Sequence, residues 1–307
     1  MVNPSPNPTA PPLPVVETIV KAVTFVWQER NEFLTLAFPA ILVLSILNTL
    51  VALMLGGDNA KDLATDAERL EAAVQAGILP FLLLIVPFAY FWTTFAIAWH
   101  RKYLLPKDQP SIGEVLTWRS RHTRFLFQAI GLTIVAVVIL LIGASLAAFA
   151  PVLLVLVLAA VVSVYGRLSL VLPSAAVDHG LSFAKSWVLT RGQTARLFAV
   201  IAATWFPTAV AVSLAQQILA LILGDSGSFM ALFVRAFVGN VLGYLAVAIG
   251  VSVLSVLKVI DLWGTQDETE RTLFWIFAGF SVLGVFMFFF RRRMRLKMEA
   301  RKQDQSA

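Results

Sequence analysis

Acidic side chains are confined to the polar parts of this chain, which restricts the chemistry it can carry out. All 18 Asp and Glu residues lie outside seven long apolar runs. If those runs cross a bilayer, an ion-coupled carrier would normally keep an ionisable group at mid-membrane depth. Hydrolysis within the membrane would likewise need a general acid or base there. The pattern disfavours both. The runs cover residues 33–55, 78–99, 125–147, 151–173, 197–223, 237–257 and 273–290.

The histidines and the short motifs point to no reaction centre. His100, His122 and His179 lie at or beyond the predicted cytoplasmic ends of apolar runs, and none pairs with another at H-x-H or H-x-x-x-H spacing. We therefore expect solvated histidines at the membrane interface, with no metal and no bis-histidine haem. The chain has no Cys, and it contains no GxSxG, GxxxxGK[ST] or GxGxxG sequence. These absences predict a protein that is not an enzyme and holds no cofactor.

Arg167 is the one charge well inside a predicted membrane hairpin. Either its long side chain reaches the headgroups from near the cytoplasmic end of its helix, or it contacts a lipid phosphate or a carboxylate such as Asp178. Arg235 poses the same choice. We assign lipid-headgroup or structural roles to six arginines: Arg167, Arg191, Arg196, Arg291, Arg292 and Arg293.

Three glycines mark a predicted packing face on the sixth apolar run. Gly239 and Gly243 form a GxxxG pair, and Gly250 follows one heptad later. Small residues at this spacing let two helices approach closely. We expect that contact to lie within the chain, and homodimerisation is the alternative.

The elements that position these residues are the apolar runs themselves, because about 20 apolar residues cross a bilayer. Apolar residues make up 59% of the chain and charged ones 14%, too little charge to cover a soluble protein of this length. We predict an all-α polytopic membrane protein with a six-helix core and a seventh C-terminal membrane helix. The predicted parts are a disordered Pro-rich cytoplasmic tail (1–14), a membrane domain (15–260) holding the first six runs, an extra apolar segment (261–290) and a basic tail (291–307).

The distribution of Lys and Arg predicts the orientation. Loop 100–124 carries six basic residues and segment 174–196 three, whereas loop 56–77 carries five acids. This places the N-terminus in the cytoplasm of a bacterial cell, with the protein in the inner membrane. Segment 273–290 is in conflict with that rule, because a seventh crossing would export the basic tail. Hydropathy favours seven crossings and charge favours six, so the side of the C-terminus stays open.

An internal repeat is also predicted. Three times, a short amphipathic stretch leads into a membrane hairpin, namely 33–99, 125–173 and 197–257. Each stretch carries a Trp followed by an Arg: Trp27 with Arg30, Trp118 with Arg121, and Trp187 with Arg191. We interpret each as a helix lying in the cytoplasmic interface, where the Trp ring is buried and its N–H stays hydrated. The alternative is a chance similarity among short strings.

The stretch Arg167-Leu-Ser-Leu-Val-Leu-Pro173, followed by Ser186-Trp187 and Thr190-Arg191-Gly192-Gln193, resembles a known family. It is similar to bacterial inner-membrane proteins related to the membrane domain of glycerophosphodiester phosphodiesterases. The resemblance covers roughly residues 15–260 and implies a six-helix core of unknown function. It carries over no catalytic residue, because phosphodiesterase chemistry in the larger relatives belongs to a separate soluble domain.

The predicted function is therefore that of a non-enzymatic, lipid-associated scaffold or an accessory subunit of a membrane complex. Its expected partners are membrane lipids, attracted if anionic by the basic tail, and a membrane protein that docks on the C-terminal segment. Nucleic acid is not expected. The alternative is a small permease or channel for an unidentified solute. A cavity lined by polar residues of the runs would favour that alternative, namely Asn48, Gln128, Gln216 and Asn240.

Overall fold

The computed structural model describes residues 14–54, 78–105, 107, 111–147, 153–223 and 228–259, and every regular element among them is an α-helix. Six are long and apolar enough to cross a membrane, which agrees with the predicted multi-pass helical protein. The helices are α1 (Val15–Gln28), α2 (Arg30–Met54), α3 (Ile78–Leu104), α4 (Ile112–Val115), α5 (Ser120–Ala147), α6 (Leu153–Leu168), α7 (Val171–Ala176), α8 (Phe183–Leu189), α9 (Thr194–Leu223) and α10 (Phe229–Val259).

The helices extend beyond the predicted apolar runs at several polar ends. Four of the helices begin before their apolar run, and α3 continues beyond residue 99 to Leu104. The reason is that Arg, Lys and Ser do not stop a helix, and their side chains can reach headgroups or neighbouring helices from its last turn. The apolar windows become Arg30–Met54, Leu82–Leu104, Ser120–Gly143, Leu153–Ala176, Thr194–Leu223 and Phe229–Leu257.

The fourth span is broken near its C-terminal end into α6 and α7. Pro173 has no N–H, so it cannot donate to the carbonyl of Ser169 four residues earlier. That carbonyl accepts instead from the Leu172 N–H at 3.0 Å. The Ser169 hydroxyl donates to the Gly166 carbonyl at 3.0 Å, which satisfies one of the last acceptors of α6.

Helix α10 is the centre of the bundle, because it packs against α1, α2, α3, α7 and α9. The core is densest around Trp99, which is fully buried and stacks on Phe95 with ring centroids 5.9 Å apart. Its indole N–H donates to the Ser252 hydroxyl at 2.9 Å, joining α3 to α10. A second polar link joins α10 to α2, where the Asn240 amide donates to Ser45 Oγ at 3.0 Å.

Helix α1 is amphipathic, in agreement with the amphipathic character predicted for the stretch that carries Trp27. It ends at Gln28, so Arg30, the basic residue of that stretch, belongs to α2. Its buried face is Thr18, Ala22 and Val26. On the exposed side Lys21 Nζ lies 2.6 Å from a Glu17 carboxylate oxygen, and this hydrogen bond raises the pKa of the lysine.

The three stretches that precede the hairpins differ in form. The first is the 14-residue α1, the second contains the four-residue α4, and the third contains the seven-residue α8. The internal repeat stays a prediction. The predicted N-terminal tail, the segment 261–290 and the basic tail lie outside the described residues, apart from Pro14 at the boundary of the first.

Candidate functional site

A cavity of about 620 Å³ lies between the membrane-spanning helices. Helices α9 and α10 form two of its walls, and the rest of its lining is two residues of α3 and single residues of α5, α6 and α7. Its lining is predominantly apolar, with Trp205 and Tyr165 meeting at 5.2 Å between ring centroids. The size falls within the range of about 300–1,000 Å³ that is typical of small-molecule pockets.

Two hydroxyl groups in this wall, those of Thr204 and Thr208, already donate their protons within α9. Thr204 Oγ1 donates to the Val200 carbonyl at 2.6 Å, and Thr208 Oγ1 donates to the Thr204 carbonyl at 2.7 Å. A hydroxyl has one proton, so neither group can donate to a ligand without giving up a helix contact. The wall therefore offers less hydrogen bonding than its composition implies.

His100 also lines the cavity, and the expectation that it is solvated is wrong. It is fully buried, because α3 continues past the apolar run and packs its last turns against α10. Its Nδ1 lies 2.8 Å from Ser255 Oγ, whose own proton goes to the Val251 carbonyl at 2.9 Å. The serine must therefore accept, so the histidine proton is on Nδ1.

The other two histidines lie elsewhere. His122 is also buried, contrary to expectation, because it lies in the first turn of α5 against α3. His179 is exposed, as predicted. Among the described residues, no three His, Asp or Glu side chains form a group that could hold a metal ion.

A second, much smaller pocket of about 20 Å³ lies where α3 ends and α5 begins. We call it the arginine pocket, and its lining is Thr94, Ile97, Ala98, Arg101, Arg119, Arg121 and His122. Asp178 approaches it from the turn after α7. One of its carboxylate oxygens lies 3.6 Å from Arg101 Nη1 and 3.4 Å from Arg121 Nη1.

Arg167 lies at the C-terminal end of α6 and connects it to α8. Its guanidinium carbon is 3.5 Å from the centroid of the Trp187 ring, and its Nη2 donates to the Trp187 carbonyl at 2.8 Å. The Arg167 carbonyl in turn accepts from the hydroxyls of Ser186, at 2.6 Å, and Thr190, at 3.3 Å. These contacts give the side chain a structural role, and its role toward lipid headgroups stays a prediction.

The remaining predicted charges do not gather into one site. Arg191 is exposed in the turn after α8, whereas Arg196 is buried in the first turn of α9. Neither lines the two cavities described here. Three further arginines lie outside the described residues: Arg291, Arg292 and Arg293.

The predicted glycine face divides into two environments. A Cβ on Gly239 would lie 2.6 Å from Gln216 Nε2, and one on Gly250 would lie 3.6 Å from Trp205 Nε1, so both approach α9 closely. A Cβ on Gly243 would have no neighbour within 4 Å among the described residues. Gly239 and Gly250 thus allow contact within the chain, as predicted, but Gly243 does not lie in that contact.

The polar residues that would have indicated a permeation path do not line either cavity, and three of them form hydrogen bonds to other parts of the chain. Gln128 donates to the Leu181 carbonyl at 3.3 Å, Gln216 donates to the Arg235 carbonyl at 3.4 Å, and Asn240 bonds to Ser45. In the part of the chain that the structure describes, neither cavity is lined by any of these three or by Asn48.

The chain was compared with protein-family models, with curated proteins and with solved structures, and none of the three comparisons finds a match.

Proposed function

We propose that this chain is a non-enzymatic, lipid-associated integral membrane protein that holds a lipid acyl chain in the cavity between α9 and α10. The single observation that carries the proposal is the apolar lining of a 620 Å³ cavity between membrane-spanning helices. An acyl chain is the apolar ligand present at high concentration in that layer, and it needs no hydrogen bond from the wall.

The state of the wall hydroxyls supports an apolar occupant over a hydrophilic solute. A hydrophilic solute that enters an apolar cavity loses its hydration, and each polar group left without a hydrogen bond costs several kcal/mol in such surroundings. Thr204 and Thr208 can accept a hydrogen bond from such a solute but cannot donate one, because their protons are engaged within α9. An acyl chain loses no hydrogen bonds and gains dispersion contacts with the aromatic rings.

The wider role that we propose is that of a scaffold or an accessory subunit of a complex in the bacterial inner membrane, with the N-terminus in the cytoplasm. It agrees with the engagement of polar membrane residues in contacts between helices. Docking of a partner on segment 261–290 and kinship with the phosphodiesterase-related membrane proteins both stay predictions.

The test uses the full chain, extracted in a mild detergent from cells and analysed by native mass spectrometry for retained lipid. Gly250→Phe places a ring in the cavity beside Trp205, starting from a Cβ position with 3.6 Å of clearance. Gly243→Phe is the matched control, since it makes the same change seven residues earlier on α10, where a Cβ has open space.

We expect the fraction of protein that retains a lipid to fall by at least half in Gly250→Phe and to stay at the original level in Gly243→Phe. Circular dichroism and size-exclusion profiles confirm that both variants fold. Equal lipid retention in the two variants would contradict the assignment of the cavity. So would an original protein that carries no lipid.

A further inference from the structure

Two aromatic side chains of the apolar cavity carry hydrogen-bond donors. Tyr165 has a phenolic O–H and Trp205 an indole N–H, and both residues line the cavity. Their rings are in contact, with centroids 5.2 Å apart and ring planes inclined by 58°. Among the described residues, neither the Tyr165 hydroxyl nor the Trp205 indole N–H forms a hydrogen bond with another group. The cavity therefore has donor capacity within an otherwise apolar lining.

Three other polar side chains of the same lining already use their donors. Thr204 and Thr208 donate within α9, and the Nδ1 proton of His100 goes to Ser255. Tyr165 and Trp205 differ from these residues because their protons remain available to a ligand.

The indole nitrogen of Trp205 lies beside a gap in the wall that α10 forms. A Cβ on Gly250 would be 3.6 Å from Trp205 Nε1, and glycine leaves that position empty. Half of the Trp205 residue is exposed, at 50% of its full surface, and so the side chain is accessible from the cavity or the surrounding lipid.

Both donors lie far from the ends of their spans. At 1.5 Å per residue, Trp205 is about 17 Å from the first residue of α9 and about 27 Å from the last. Tyr165 is about 18 Å from the first residue of α6. Tryptophan is typically found at the membrane–water interface, where water accepts from its N–H. Within the hydrocarbon layer a donor without an acceptor costs free energy, so an oxygen of the ligand is the acceptor that this part of the wall favours.

An ester carbonyl matches the two donors. Its oxygen has two lone pairs, so it can accept from both groups, and in a lipid it is attached directly to an acyl chain. A carboxylate would bring a charge into the hydrocarbon layer, which is costly. A hydrophilic solute has more polar groups than two donors can satisfy, and the remaining groups would stay without partners.

We propose that Tyr165 and Trp205 donate hydrogen bonds to the ester carbonyl of a lipid whose acyl chain occupies the cavity. This inference rests on the proposed function and adds the class of lipid, which is ester-linked. The two side chains determine specificity, because an ether-linked lipid with the same chains fills the same apolar volume but lacks the carbonyl oxygen.

The test uses the purified full chain in detergent, equilibrated with an equimolar mixture of a diester phosphatidylglycerol and its diether analogue with the same chains. Native mass spectrometry gives the ratio of the two lipids that stay bound. Tyr165→Phe removes only the phenolic hydroxyl, and Trp205→Phe removes the indole N–H. Trp92→Phe is the matched control, because it makes the same change at another tryptophan of the cavity, whose ring packs against Phe125 with centroids 5.8 Å apart.

We expect the original protein to retain the diester about tenfold over the diether, because two neutral hydrogen bonds together contribute about that factor. Tyr165→Phe and Trp205→Phe should each lower the preference to about threefold, since each removes one of the two bonds. Trp92→Phe should keep the original preference. Circular dichroism confirms that the variants fold, and Tyr165→Phe carries the test by itself if Trp205→Phe does not.

Equal retention of the diester and the diether by the original protein would overturn the proposal. That result would leave the acyl-chain cavity intact, so this inference and the proposed function fail separately. A preference that neither Tyr165→Phe nor Trp205→Phe lowers would also overturn the proposal, as would an equal loss of preference in Trp92→Phe. Retention of neither lipid would contradict both the proposal and the proposed function.

Discussion

Replacing Ser252 with Ala tests the polar link that holds α3 against the central helix. Ser252 and Trp99 are both fully buried, and the indole N–H donates to the serine hydroxyl at 2.9 Å. The substitution removes one oxygen and leaves the ring in place among Phe95, Phe25 and Phe33. The main effect of the substitution is that the buried indole N–H of Trp99 loses its hydrogen-bond acceptor.

Two measures bound the cost. In water-soluble proteins, a buried donor that loses its partner costs about 1–3 kcal/mol. Between membrane helices, hydrogen bonds contribute less, about 0.6 kcal/mol on average and up to about 1.7, because the unfolded chain in the bilayer also finds partners. The rings in contact with Trp99 offer no replacement oxygen, so we expect a cost somewhat above this second average, about 1 kcal/mol.

The assay measures the free energy of unfolding of the full chain in mixed micelles. Unfolding is induced by titration with a denaturing detergent. Ser163→Ala is the matched control. Ser163 is a buried serine in α6, and its hydroxyl has no hydrogen-bond partner among the described residues. Its removal should leave the free energy of unfolding unchanged or raise it slightly, since no donor loses a partner.

The reasoning is refuted if Ser252→Ala and Ser163→Ala have the same free energy of unfolding. That result would mean that the indole N–H finds another acceptor or that the link to α10 contributes nothing to stability. A difference of about 1 kcal/mol, with Ser252→Ala the less stable, confirms the role of the pair.

Two further substitutions act at the contacts of α6. Arg167→Lys keeps the charge but loses the planar group over Trp187, so we expect this variant to lower the free energy of unfolding by about 1 kcal/mol. The control is Arg191→Lys at an exposed position, which should leave the free energy of unfolding unchanged. Gly166→Leu should lower it by about 1–3 kcal/mol, because a Cβ there lies only 2.8 Å from a side-chain carbon of α9, whereas Gly243→Leu has open space. Equal values within either pair, in the same micelle titration, would contradict the packing described.

The sequence predicted the spans because hydropathy is a local property, and a run of about 20 apolar residues has few alternatives. It could not predict which polar residues meet, because those contacts depend on tertiary packing. Trp99 and Ser252 are 153 residues apart, and Asn240 and Ser45 are 195 apart. Gln216 likewise bonds to the Arg235 carbonyl on the neighbouring helix, a partner that only the bundle identifies.

Burial at the helix ends was the main source of error. His100 and His122 follow or precede apolar runs, so hydropathy places them in the polar interface. The structure buries both, because α3 and α5 extend past the apolar runs and pack against neighbouring helices. A window average cannot distinguish a polar residue that faces lipid headgroups from one that faces another helix. The basic residues of loop 100–124 carried the same ambiguity, and they indicated topology without indicating the arginine pocket.

Two adjacent residues of helix α3 line two different pockets. His100 lines the apolar cavity, whereas Arg101 lines the arginine pocket. Neighbouring residues on a helix point about 100° apart, which follows from 3.6 residues per turn, so one turn of α3 serves both. A substitution that changes only the direction of one side chain can therefore affect one site alone, but a shift of the whole α3 end would affect both. Loss of acyl-chain retention in an Arg101 variant, whose side chain does not line the apolar cavity, would indicate that the helix end has moved.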